Sequence, residues 1–247
     1  MRLAAALLVL LASPAASAAG KVAVLRVYGP GGPLTPIAEC GKAFAAEKGV
    51  QVRVDGGPEA RWLEMAQADG DLVFEASEYQ LTDFMRRRPG LLDASTRESL
   101  YDRPAAILVR PGNPRRIQGL EDLARPGVKL LDVSGAGQHG LWEDLAGRRG
   151  LIRALQRNIA LSLANTAEAM NAWRDRPELD AWITFESWHH RMAGQTELVR
   201  LPAGEQVWRG TPIALTARSE QRELALAFVA YLKGPACHAV FQKAGWR

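Results

Sequence analysis

The chain has 247 residues, 47% apolar and 23% charged, with 31 Lys and Arg against 27 Asp and Glu for a formal charge of +4. That mixture excludes a disordered or collagen-like chain and fits a soluble globular one with room for one large or two medium cores. The basic residues are scattered among acids without interleaved aromatics, which argues against a nucleic-acid surface.

The elements run as follows. Arg2, the apolar stretch 3–12 and Ala16-Ser17-Ala18 read as a secretory signal peptide over residues 1–18, cleaved after Ala18. The apolar run is too short to span a bilayer. Val22 to Tyr28 reads as a buried strand, followed by the loop Gly29-Pro30-Gly31-Gly32-Pro33. Thr35 and Pro36 suit the N-cap and first position of a helix that runs to Lys48 and stops at Gly49. Val50, Val52 and Val54 alternate as in a second strand, Glu59 to Gln67 is helical, and "DLVFE" (71–75) is a third strand before the helix of "ASEYQLTDFMRRR". Arg86, Arg87 and Arg88 then form a solvated helix end.

From Ala105 the pattern restarts with the strand "AAILV" and a Pro-Gly-Asn-Pro turn. Strand and helix alternate again through "VKLLDVSGAGQHGLWEDL", "IALSLANTAEAMNAW" and "LDAWITFESWHHRM". "VWRGTPIALTARS" reads as one more strand, and the chain closes on a helix pair broken at Gly234-Pro235. Strands separated by helices predict parallel sheet, with ligand sites at the carboxyl ends of the strands.

Four loops carry the same chemistry: Gly29 to Pro33, Ala76-Ser77-Glu78, Ser134 to Gly137 and Asn165-Thr166. Each sets small or hydroxyl-bearing residues at a helix N-terminus, where free backbone N–H groups and the dipole favour an anion. A P-loop is excluded because no Lys follows the first glycine loop, and Gly-x-Gly-x-x-Gly is missing. No nucleophile elbow or His-Glu-x-x-His pair occurs, so neither catalysis nor a metal site is expected. Cys40 and Cys237 could bridge in an oxidising compartment or remain buried thiols; the sequence leaves both open.

The stretches "LRVYGPGGPLTPIAECGKAF", "LVFEASEYQ", "AAILVRPGNP", "SGAGQHGLWEDL", "DAWITFESW" and "AFVAYLKGPACHAVFQKAGW" together resemble exported solute-binding proteins of the accessory colonization factor (AcfC-like) group. That group is similar to the molybdate- and sulfate-type binding proteins. The resemblance implies an α/β, two-lobed type II periplasmic binding fold with helix-flanked mixed sheets and two crossover strands. Lobe I is then 21–104 plus 208–247 and lobe II is 105–207.

The resemblance further implies a periplasmic, non-enzymatic protein without cofactor. Its expected partners are a small anionic ligand and an ABC-type membrane transporter, with oligomeric state, a dimer included, left open. Carried over residue by residue, the ligand site falls on Gly31, Gly32 and Ser77 in the first lobe. Ser134, Gly137 and His139, with Thr184 and Glu186 at the end of the "DAWIT" strand, come from the second. Arg61 and Arg103 add cations that favour citrate-like carboxylates or small phosphorylated acids over an inorganic oxyanion. The alternative is a surface or adhesion protein with a vestigial cleft.

Overall fold

A computed structural model describes residues 22–135 and 137–247. The candidate signal segment 1–18 lies outside the described residues. The first half of the chain runs β1 (Val24–Gly29), α1 (Gly31–Lys48), β2 (Gln51–Gly56), α2 (Glu59–Asp69), β3 (Leu72–Phe74), α3 (Glu78–Arg87) and β4 (Glu98–Ser99). It continues through β5 (Arg103–Val109), α4 (Leu120–Leu123), β6 (Leu130–Val133), α5 (Leu141–Gly147), α6 (Ile152–Asn158), β7 (Ile159–Leu163) and α7 (Thr166–Asp175). The remainder is β8 (Ala181–Phe185), α8 (Glu186–Arg191), β9 (Glu197–Arg200), β10 (Trp208–Arg209), β11 (Pro212–Leu215), α9 (Arg222–Leu232) and α10 (Pro235–Lys243).

Two mixed sheets result. The first has the order β2-β1-β3-β11-β4, parallel among β1, β2 and β3 and antiparallel where β11 joins β3 and β4. Its strands alternate faces as the two-residue period requires. Leu25, Val27, Leu72 and Phe74 pack with α1, α9 and α10 on one face, while Tyr28 and Val73 pack with Trp62 and Phe84 of α2 and α3 on the other. Cys40 of α1 and Cys237 of α10 are joined as a disulfide across a separation of 197 residues, tying the first helix to the last. The second sheet has the order β10-β5-β8-β6-β7, with β9 also on β5. All seven residues of β5 are buried, as an apolar run flanked by strands on both sides predicts. Trp173, Trp182 and Phe185 fill its core.

The chain crosses between sheets twice, after β4 and after β10. The stretch "VWRGTPIALTARS" is therefore two strands: β10 pairs with β5 in the second sheet and β11 with β3 in the first, with Gly210-Thr211 between them. Arg103 and Pro104 pair with Arg209 and Trp208, so these four residues, expected in lobe I, belong to the second sheet. The helix expected to start at Pro36 with Thr35 as N-cap begins five residues earlier, at Gly31 with Pro30 as N-cap. Pro33 sits in the first turn, where no intrahelical donor is required, and Pro36 alone costs the helix a bond. The glycine-proline stretch is thus the first turn of an 18-residue helix and not a free loop. Among the described residues no single helix is long and apolar enough to cross a membrane.

Candidate functional site

The carboxyl ends of β1, β2 and β3 face those of β6 and β7 across a cleft, and the loops that follow these strands line it. Pro30, Gly57, Pro58 and Asn165 sit at the waist of the cleft and divide it into two chambers. One, of about 350 Å³, is lined by Gly31, Gly32, Arg61, Thr166, Asn171 and Arg191 among others. The other, of about 440 Å³, is lined by Glu59, Glu75, Tyr79, Gln80, Asp83, Arg87, Ser134, Gly135 and His139.

The first chamber is cationic. Arg61 and Arg191 line it with no acid among the described residues of its walls, and Gly31 and Gly32 in the first turn of α1 form part of it. Arg191 also bridges the lobes, donating from Nη1 to the Gly31 carbonyl at 2.7 Å. Burial holds its guanidinium below the ordinary value. Behind Gly32 lies Arg103, with no exposed surface. Its Nη2 donates to the Ala76 carbonyl, its guanidinium carbon stands 4.1 Å from the Phe185 ring centroid, and Nε and Nη1 have no partner among the described residues. Burial lowers its pKa to about 9, so the group stays charged at neutral pH. An uncompensated buried cation beside a helix N-terminus is costly unless something anionic is meant to lie within its field.

The second chamber is rich in carboxylates. Arg87 is held by Glu59 through two bonds of 2.8 and 2.9 Å and by Asp83 at 2.8 Å. Glu75, only 4% exposed, has no such partner among the described residues, and burial with the nearby Glu59 raises its pKa to about 8. Across the cleft the His139 ring stacks on Tyr79 at 5.8 Å.

These two chambers at the strand ends of a twice-crossed, two-sheet chain are the geometry of a solute trap, and comparison with known proteins agrees. The profile of the bacterial extracellular solute-binding protein family matches residues 25–247. The chain belongs to that family. Among solved structures, this solute-binding protein is similar to PEB3 bound to L-phospholactate, at 30% identity over 90% of this chain and 99% of that one, with a TM-score of 0.83. Peb3 from Campylobacter jejuni matches at 31% identity with the same coverage and a TM-score of 0.81. The sulfate-binding protein SubI from Mycobacterium tuberculosis, at 21% identity over 91% of this chain and 86% of its own, shares the fold with a TM-score of 0.76. A search of functionally curated proteins finds no significant match. The expected two-lobed type II fold and non-enzymatic class therefore hold for this solute-binding protein.

Of the residues singled out in its sequence, Gly31, Gly32, Arg61, Ser134 and His139 line the chambers. The other five do not. Ser77 is the N-cap of α3, accepting from the Gln80 amide at 3.2 Å, and Arg103 lies behind Gly32. Gly137, at φ +82°, lets the lobes touch: a Cβ there would stand 2.6 Å from the Ala76 carbonyl oxygen. Thr184 is wholly buried on β8 with its hydroxyl unpartnered among the described residues. Glu186 departs furthest from expectation, because its buried carboxylate is engaged by Arg200 at 2.8 Å and Arg247 at 3.2 Å. It closes an ion-pair cluster that reaches the C-terminal residue.

Sequence reasoning passed over Glu75, Tyr79, Arg87 and Arg191 as site residues. Arg87 read as a solvated helix end and proves to be a wall of the acidic chamber. The place of Glu75 at the end of a parallel strand was a usable signal; Arg191 carried none, because only the fold brings α8 to where Arg191 reaches the Gly31 carbonyl across the cleft.

Proposed function

We propose that this protein captures a small organic anion in its interlobe cleft and hands it to an ABC-type membrane transporter. The observation that carries the reading is the α1 N-terminus opening into a chamber walled by Arg61 and Arg191, with the buried Arg103 behind it. A helix terminus and cations converging without an acid suit a carboxylate or phosphate head. The two connected chambers favour an elongated ligand, a citrate-like carboxylate or small phosphorylated acid, over a spherical oxyanion. L-phospholactate bound to the similar PEB3 supports the same class.

In this reading Gly31, Gly32, Arg61 and Arg191 hold the head group, Ser134 and His139 contact the ligand from lobe II, and Ser77, Arg103, Gly137 and Thr184 shape the cleft from behind. The precursor is cleaved after Ala18 and the mature chain works in the periplasm. Mass spectrometry of the exported protein tests the cleavage, with an intact Met1 as the contrary result. Calorimetric titration with 3-phosphoglycerate, L-phospholactate, citrate, sulfate and molybdate tests the ligand class. Binding of an organic anion with at least tenfold preference over sulfate is the expected outcome; no binding across the panel would leave the adhesion reading in its place.

A further inference from the structure

The acidic chamber poses a problem for an anion receptor. Glu59, Glu75 and Asp83 all line it, and Arg87 is its sole Lys or Arg among the described residues. Arg87 is spent on Glu59 and Asp83, and Arg88 also reaches Glu59, at 3.4 Å. Glu75 is left at the end of β3, 96% enclosed yet forming part of the chamber wall. Its backbone is engaged in the sheet, the N–H donating to the Pro212 carbonyl at 2.8 Å. The charged groups around it are Glu59 from α2 and Asp83 and Arg87 from α3; the Ala76 backbone hydrogen-bonds to its carboxyl group, and Tyr79 from α3 and His139 from lobe II line the same chamber.

A carboxylate in that position would be desolvated, set against two other carboxylates and turned towards an anionic ligand. A carboxylic acid carries no charge to desolvate or to repel the neighbouring carboxylates, and it has an O–H to offer a ligand in the chamber whose wall it forms. We propose that Glu75 serves as a protonated hydrogen-bond donor to an ionised oxygen of the bound anion, so that this receptor recognises fully ionised acid groups and binds them only while Glu75 keeps its proton. The inference rests on the anion-receptor reading above. Burial and the neighbouring Glu59 raise its pKa to about 8, which is consistent with a proton retained at neutral pH. Anion binding stabilises the proton further, because the donated hydrogen bond exists only in the acid form. Binding then takes up a proton whenever the free protein has lost it.

The test is calorimetric titration of the mature protein with 3-phosphoglycerate from pH 6.5 to 9.5. The ligand's phosphate has a second pKa of about 6, so its own ionisation is nearly complete above pH 7. The wild type should lose about tenfold in affinity per pH unit above pH 8. Glu75→Gln, whose amide donates at every pH, should bind equally at pH 7 and pH 9.5, and Glu75→Leu should bind at least tenfold more weakly than the wild type at pH 7. A flat wild-type profile, or the same slope in the Gln variant, overturns the inference. Should 3-phosphoglycerate, citrate and L-phospholactate all fail to bind at every pH, the anion-receptor reading fails instead. The state of Glu75 is then read in the ligand-free protein from its carboxyl carbon resonance, where ionisation complete by pH 6 overturns the inference independently.

Discussion

The two chambers of the cleft are built from the same kind of part, the loop between a strand end and a helix, and differ in the sign of what surrounds it. Around Gly31 and Gly32 the charged groups that line the chamber, among the described residues, are the cations Arg61 and Arg191; around Glu75 there are three carboxyl groups, its own included, with one guanidinium already neutralised by the other two. The cationic chamber can hold a charged head without reorganising. The acidic one, on the proposal above, meets an anionic oxygen with the proton of Glu75. On the proposed reading one cleft would meet the two ends of an elongated acid by different physics, a fixed field at one end and a titratable donor at the other.

The largest effect that would sharpen this contrast lies in stability without ligand. Glu75 holds its proton up to about pH 8 when folded, whereas the unfolded chain gives it up near the ordinary value of 4.5. The folded state therefore binds the extra proton between pH 4.5 and 8, and stability falls as pH rises through that window, by roughly 1 kcal/mol per pH unit and a few kcal/mol in all. Above pH 8 this contribution is flat. Denaturant melts of wild type and Glu75→Gln should converge at pH 4.5 and separate towards pH 8; parallel profiles would mean that Glu75 is ionised in the fold.

Substitutions at the other end should act on binding. A Cβ on Gly32 would stand 3.1 Å from Arg103 Nη1, and the branched Val side chain would crowd the guanidinium from the ligand's side. Gly32→Val should weaken binding about 100-fold, or about 2.8 kcal/mol. At Gly31 the nearest atom is 3.9 Å away, so Gly31→Ala should change affinity by less than about fivefold, roughly 1 kcal/mol. Calorimetry on both folded variants checks the pair, and equal losses would show that the first turn is merely fragile.

Removing Arg191 strips the cationic chamber of a wall and frees the Gly31 carbonyl. Arg191→Ala should cost ~1.5–3 kcal/mol of binding, with a salt dependence weaker than that of the wild type. An unchanged affinity would reduce Arg191 to a strut between lobes. The smallest effect belongs to Ser77. As the cap of α3 it is worth ~1 kcal/mol of stability, and Ser77→Ala should lower the melting temperature while leaving affinity within about twofold, a difference under ~0.5 kcal/mol. A large loss of affinity would place Ser77 in the site after all.

Much of the fold was legible because its signals are local. The apolar β5, the alternating valines of β2 and the Gly49 stop of α1 each declare themselves within a few residues, and strand-helix alternation then implies parallel strands with a site at their carboxyl ends. The strand-end loops were legible for the same reason, and Gly31, Gly32, Ser134 and Asn165 do meet at the cleft. Where local signals conflicted, tertiary packing decided. Thr35-Pro36 is a good helix start, yet α1 begins at Gly31, straight after the extended Pro30. "VWRGTPIAL" has one composition and two partners, and only the hinge between the sheets divides it into β10 and β11. Charged groups were the least legible, since their roles are set by what they face across the chain: Glu186 meets Arg200 and Arg247, Arg87 meets Glu59, and Arg103 meets no carboxylate at all among the described residues. The sequence by itself determined the strands, the helices and the helix ends that favour an anion, all products of backbone geometry over short range. Which end of the cleft is cationic, and that a lone buried Glu75 closes the other, was decided by the tertiary structure, because desolvation and Coulomb interactions depend on distance in space and not on separation along the chain.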